Sequence, residues 1–99
     1  MPHVNVTPQA ALGIERCNRY LKERAPDAAK RAKAAIRQYL AKLKTAPQIG
    51  RLYVDDPTLR ELVIPFGQGA YLALYRYAPE EDAVYVLAFK HGREEKYRP

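Results

Sequence analysis

Arg60, Arg76, Lys90, His91, Arg93 and Tyr97 are the side chains in the second half of the chain whose types suit acid–base or phosphate chemistry. Cleaving RNA without a metal needs a base for the 2′-hydroxyl, cations for the phosphorane and an acid for the leaving oxygen. His91 has an intrinsic pKa suited to proton transfer. Tyr97 offers a hydroxyl, or a ring on which a base can stack, and Arg93 offers charge. These three are the candidate catalytic residues if the chain is a nuclease. Arg60, Arg76, Lys90 and Arg93 are candidates for gripping a large target instead. Plainer readings stand beside these. Arg60 can pair with Glu61, Asp55 or Asp56, Arg76 with the acidic turn Glu80–Asp82, and residues 91–99 can be a solvated tail. One cysteine (Cys17) and two distant histidines offer no metal-binding set, and no cofactor is implied.

The elements that must position these residues are three short strands in a meander: Leu59–Phe66, Ala70–Tyr77 and Ala83–Lys90. Their aliphatic and aromatic residues suit a pleated, half-buried surface. Gly67-Gln68-Gly69 and Pro79-Glu80-Glu81-Asp82 supply the turns, and links this short permit only antiparallel hairpins. A turn centred on Glu80-Glu81 sets Arg76 opposite Tyr85, Leu74 opposite Leu87 and Leu72 opposite Phe89. One face then collects Leu72, Leu74, Arg76, Tyr85, Leu87, Phe89 and His91. The other collects Tyr71, Ala73, Tyr75, Tyr77, Val84, Val86, Ala88 and Lys90.

Upstream, Pro2–Thr7 alternates around Val4 and Val6 as a short strand for one sheet edge, its direction open. Thr7-Pro8 is a helix start, and Ala10, Ile14, Cys17 and Leu21 form an apolar stripe running to about Arg24. Pro26 breaks that helix and begins another, striped by Ala29, Ala32, Ile36, Tyr39 and Leu43. Its many alanines allow close packing as an antiparallel helical hairpin. Thr45–Thr58 reads as an ordered crossing loop, pinned by Ile49, Leu52, Tyr53 and Val54. The tail from His91 to Pro99 has room for a turn of helix.

The 99 residues suit one domain, 1–99, with one two-layer α+β core. No apolar run is long enough to span a membrane, and the N-terminus lacks a signal pattern, so a cytoplasmic location is expected. The net charge of +6 is uneven. Pro26–Ala46 carries six basic residues against Asp27 alone, whereas Arg51–Phe89 holds six acids against three arginines. An acidic partner, protein or nucleic acid, is expected to meet the helices.

Strand, helical hairpin and three-stranded meander is an uncommon order, and local strings reinforce it. PDAAKRAKAAI (26–36), TAPQIGR (45–51), LREL (59–62), GAYLALYRY (69–77) and VYVLAFKHGREEKY (84–97) together resemble the RelE/ParE superfamily of toxins from bacterial type II toxin–antitoxin modules. LREL, YLALYR and LAFKHGRE are closer to the ParE-like, plasmid-stabilisation branch. The resemblance implies a helical hairpin on a twisted antiparallel sheet, and a toxin held in a hetero-oligomer by a cognate antitoxin that is acidic and partly disordered when free. Lys30, Arg37 and Lys44 would guide that antitoxin. ParE-like members inhibit DNA gyrase and are not enzymes in doing so; RelE-like members cut mRNA on the ribosome. The RelE pattern has an arginine in the middle strand after a Gly-Tyr pair, where this chain has Leu72. It also has lysines in the meander's first strand, where Arg60 and Glu61 stand. A leucine cannot hold a phosphate, so the resemblance favours gyrase inhibition. Ribosome-dependent mRNA cleavage is the alternative, and a non-toxic basic module that binds protein or nucleic acid the second.

Overall fold

The computed structural model describes residues 1–98. The elements run β1 (His3–Val6), α1 (Pro8–Arg24), α2 (Pro26–Lys42), β2 (Arg51–Leu52), β3 (Arg60–Phe66), β4 (Gly69–Ala78) and β5 (Ala83–His91). They form one five-stranded sheet in the order β1-β5-β4-β3-β2, with the helices packed on one face. This is the expected α+β architecture, with the open direction of the first strand fixed and one strand added. β1 joins β5 in parallel, and the crossing loop contributes the two-residue strand β2 against β3.

Local chemistry explains the helix ends. The Thr7 hydroxyl accepts from the Ala10 N–H at 3.3 Å and donates to the Val86 carbonyl at 2.7 Å, so one side chain caps α1 and ties it to β5. A single residue, Ala25, separates α1 from α2, because Pro26 cannot extend the first helix and suits the start of the second. On α2 the buried residues are Ala29, Ala32, Ile36 and Leu40, followed by Leu43; Tyr39, expected in the stripe, lies at its margin. On α1 the sequence pattern missed Gly13. A Cβ there would lie 2.5 Å from the Phe89 carbonyl oxygen, so glycine lets α1 sit directly on β5.

The register of the last hairpin departs from the sequence expectation. Arg76 pairs with Tyr85 as expected, but Leu74 pairs with Ala88 and Leu72 with Lys90. Leu87 is an extra residue, a β-bulge, and beyond it every side chain of β5 changes face. Phe89 and His91 thereby join Tyr71, Ala73, Tyr75, Val84 and Val86 on the helix-covered face. Ala88 and Lys90 move to the opposite face with Leu72 and Leu74. The reason is burial: Phe89 enters the core beneath α1, stacked on Tyr71 at 5.4 Å. Fully burying side chains such as Leu43, Ile64, Val84 and Val86 stabilises the fold by about 1.5–3 kcal/mol each.

The crossing loop is pinned differently from expectation. Val54 is 94% exposed and Leu52 57%, and Ile49 is exposed too. Tyr53 is half-buried, set edge-to-face on Tyr97. The loop is anchored through its backbone: the Gly50 N–H donates to the Tyr75 hydroxyl at 2.9 Å, and a Cβ on Gly50 would strike that ring. Among the described residues the tail forms no helix; as far as Arg98 it folds down in turns against α1 and the sheet.

Candidate functional site

Glu94 organises the end of β5. Its carboxylate accepts from Arg16 of α1 at 2.8 Å and from the His91 backbone N–H at 2.8 Å, and Arg98 lies 3.5 Å away. Burial alone would raise its pKa, but the His91 N–H and the Arg16 guanidinium outweigh it and hold the carboxyl below its usual range. The Glu94 carbonyl also accepts from Lys90 Nζ at 2.6 Å, and Gln9 holds the Arg98 carbonyl at 2.8 Å. The tail is thus fixed on both sides of the β5 edge.

On the helix side, α1, β4 and the tail enclose a cleft of about 480 Å³. Its floor is Cys17, Leu21, Phe66 and Tyr71, and its rim carries Arg16, His91 and Arg93. The His91 ring stands edge-on to Tyr71 at 5.4 Å. With hydrogens assigned from the bonding pattern, its Nδ1 accepts from the Arg93 N–H at 3.1 Å, leaving Nε2 as the donor. Arg93 is exposed and makes no ion pair among the described residues. An apolar floor with cations at the mouth suits an apolar side chain flanked by a carboxylate or another anion. Burial pushes the Cys17 thiol above its usual pKa, so it behaves as core rather than as a nucleophile.

Tyr97 lies on the other side of the sheet. Its hydroxyl donates to Glu61 Oε2 at 2.6 Å, and Glu61 also accepts from Arg51 Nε at 3.1 Å. Lys90 Nζ sits 5.1 Å over the Tyr97 ring. Glu61 and Lys90 are each only 7% exposed, unusual for charged residues and allowed here by these partners. Burial, and then the bond to the Glu61 carboxylate, push the Tyr97 hydroxyl far above its ordinary pKa. Tyr97 is therefore held neutral, with its one proton committed to Glu61.

The six candidates do not converge. His91 and Arg93 meet at the cleft, while Lys90 and Tyr97 meet on the opposite face. Arg60 Nη1 donates to the carbonyls of Gly50 at 2.7 Å and Gln48 at 3.2 Å, tying the crossing loop to β3. Arg76 lies 5.1 Å over the Tyr85 ring and 4.0 Å from Glu81, whose carboxylate also accepts from the Tyr85 hydroxyl. It stands five residues along β4 from the Tyr71–His91 pair, about 16 Å away. Lys30, Arg37 and Lys44 are exposed on or just beyond α2. Sequence reasoning missed Arg16, Glu61 and Glu94. Only the acidic residue set amid an apolar strand run, Glu61, carried a signal, since such a residue needs a partner.

The arrangement can bind an apolar side chain and an anion beside it. The family model described as "ParE toxin of type II toxin-antitoxin system, parDE" matches residues 4–96. The chain belongs to the ParE toxin family. Among relatives, "Toxin RelE1" of Caulobacter vibrioides is 38% identical over 93 residues, covering 94% of this chain and 96% of that protein. "Toxin RelE3" of the same organism is 32% identical over 96 residues, covering 97% and 100%. A structure from the chromosomal ParDE toxin–antitoxin system of P. aeruginosa superposes with a TM-score of 0.68 at 18% identity, covering 92% of this chain and 96% of that one. That likeness concerns the fold. As a member of the ParE family, the chain is the toxin component of a type II toxin–antitoxin module, and its partner is an antitoxin. Among the described residues, no helix is long and apolar enough to cross a membrane.

Proposed function

We propose that this toxin acts in the cytoplasm by gripping DNA gyrase, and not by cutting mRNA. The observation that supports this reading is the separation of the three side chains a nuclease would need. His91 and Arg93 rim the cleft beside α1, whereas Tyr97 lies across the sheet with its proton bonded to Glu61. The cleft therefore holds His91 and its neighbouring cations without the tyrosine hydroxyl that would complete the candidate set. Leu72 stands where the RNA-cutting pattern places an arginine, and Lys90 is buried under Tyr97. Arg93 is the candidate cation left open to a target, with the half-exposed Arg76 at the far end of the same hairpin.

The antitoxin docks, in this reading, through an apolar side chain seated in the cleft, with a neighbouring carboxylate on Arg93. Lys30, Arg37 and Lys44 draw its acidic segment in from a distance, an effect on association rate that salt screens. The test is supercoiling of relaxed plasmid by purified gyrase. Added toxin should block it, and the cognate antitoxin should restore it. Supercoiling that proceeds unchanged at a toxin excess refutes the gyrase reading.

A further inference from the structure

The outward face of α2 is the strongly charged surface that neither the core nor the tail uses. Lys30, Arg31, Lys33, Arg37 and Lys44 are all exposed, and among the described residues none of them forms an ion pair. α1 is different, because Arg19 pairs with Glu15 at 2.9 Å and Arg24 approaches Glu23. In α2 the sole acid is Asp27, at the helix start. With about 100° between successive residues, Lys30, Lys33 and Arg37 fall within a sector of roughly 60°. Lys30 and Arg37 lie about 10 Å apart along the axis, and Lys44 follows just past its end.

What this face lacks identifies its partner. The large apolar side chains left exposed, Leu12, Tyr20, Leu52 and Val54 among them, all lie outside α2. The residues beside the cationic stripe are the exposed alanines Ala34 and Ala41. Tyr39 is half-buried, with the Lys42 ammonium 4.1 Å over its ring. A protein partner is gripped chiefly by buried aromatic and aliphatic anchors, and this stripe offers none. A single-stranded nucleic acid is gripped by stacking its bases on aromatic rings, which are absent too. Duplex phosphates ask only for cations on a low surface.

We propose that the Lys30–Lys33–Arg37 stripe of α2, with Lys44, contacts the phosphate backbone of duplex DNA, giving the toxin a sequence-independent affinity for DNA of its own. That the duplex is DNA and not RNA rests on the gyrase reading; the stripe itself carries the duplex assignment. Bound to DNA, the toxin would search for its target along the polymer on which that target works.

Fluorescence anisotropy of the full chain on a labelled DNA duplex of about 20 base pairs tests this, with salt raised from about 50 to 200 mM. Four phosphate contacts predict a slope of log K against log salt of about −3 to −4, a loss of roughly 100-fold over that range. Replacing the stripe by Lys30→Gln, Lys33→Gln and Arg37→Gln should reduce the slope to about −1. The control, Arg19→Gln, Lys22→Gln and Arg24→Gln, removes the same charge from α1 and should leave most of the slope. Equal loss in both variants overturns the proposal, since net charge alone would then explain binding. Tighter binding to an RNA duplex or a single strand overturns it, as does binding to polyglutamate without binding to DNA. Should the stripe variant fail to fold, the unaltered chain decides, and a slope smaller in magnitude than about 1 overturns the proposal. No gyrase enters this measurement. A chain that binds DNA but leaves supercoiling untouched keeps this inference and loses the preceding one.

Discussion

Tyr97→Phe separates a structural tyrosine from a catalytic one. The substitution keeps the ring over Lys90 and against Tyr53, and removes only the hydroxyl that donates to Glu61 at 2.6 Å. Hydrogen bonds to charged groups contribute about 1.5–3 kcal/mol. The upper half of that range applies, because Glu61 is buried and keeps only Arg51 once the hydroxyl is gone. For a domain of this size each kcal/mol moves the melting temperature by about 4–8 °C, so a fall of roughly 10–20 °C is expected. Differential scanning calorimetry at neutral pH reads it. A double-mutant cycle with Glu61→Gln should return a coupling of at least about 1 kcal/mol, because the two side chains act through one bond. A melting point unchanged within about 2 °C would refute the reasoning, leaving the hydroxyl without a structural task.

Further predictions concern pH, packing and reactivity. Tyr97 titrates above the ordinary tyrosine range when folded, so its contribution is fully present below about pH 10 and is lost as pH climbs beyond. Tyr97→Phe should therefore flatten the alkaline limb of an unfolding-versus-pH curve. Glu94 behaves oppositely. Its folded pKa is depressed, so its stabilisation holds above about pH 4.3 and disappears on acidification, and Glu94→Gln should weaken the acid limb. Gly13→Ala places a methyl 2.5 Å from the Phe89 carbonyl oxygen, which must push α1 off β5. Chemical denaturation should show a net loss of about 1–3 kcal/mol despite alanine's better helix propensity. Cys17 should resist thiol reagents in the native state and react fully once unfolded, as a buried thiol with a raised pKa requires.

Much of this fold was legible because local chemistry specifies it. Thr7-Pro8 and Ala25-Pro26 mark helix boundaries through capping and proline geometry, and the structure places both where the sequence does. The Arg76–Tyr85 pairing follows from the acidic turn, and it holds. The bulge at Leu87 was not legible. Both registers leave an apolar residue at most core positions, and only the fit of Phe89 beneath Gly13 selects between them. That one residue decides which face His91 and Lys90 each occupy, so it exchanged the two relative to the sequence reading. The loop misled for a related reason: Leu52 and Val54 look like anchors, yet the crossing is held by the Gly50 backbone and the Arg60 guanidinium, which carry no apolar pattern. The Glu61–Tyr97 bond joins residues 36 apart through a tail with no periodicity to announce it.

The decisive measurement is the mapping of mRNA ends on translating ribosomes incubated with the purified toxin. With His91 and Tyr97 on opposite sides of the sheet and the tyrosine proton held by Glu61, no new ends should appear at toxin concentrations that arrest supercoiling. Codon-specific cleavage that vanishes with His91→Ala would contradict this, and would mean that the tail rearranges to bring the two side chains together.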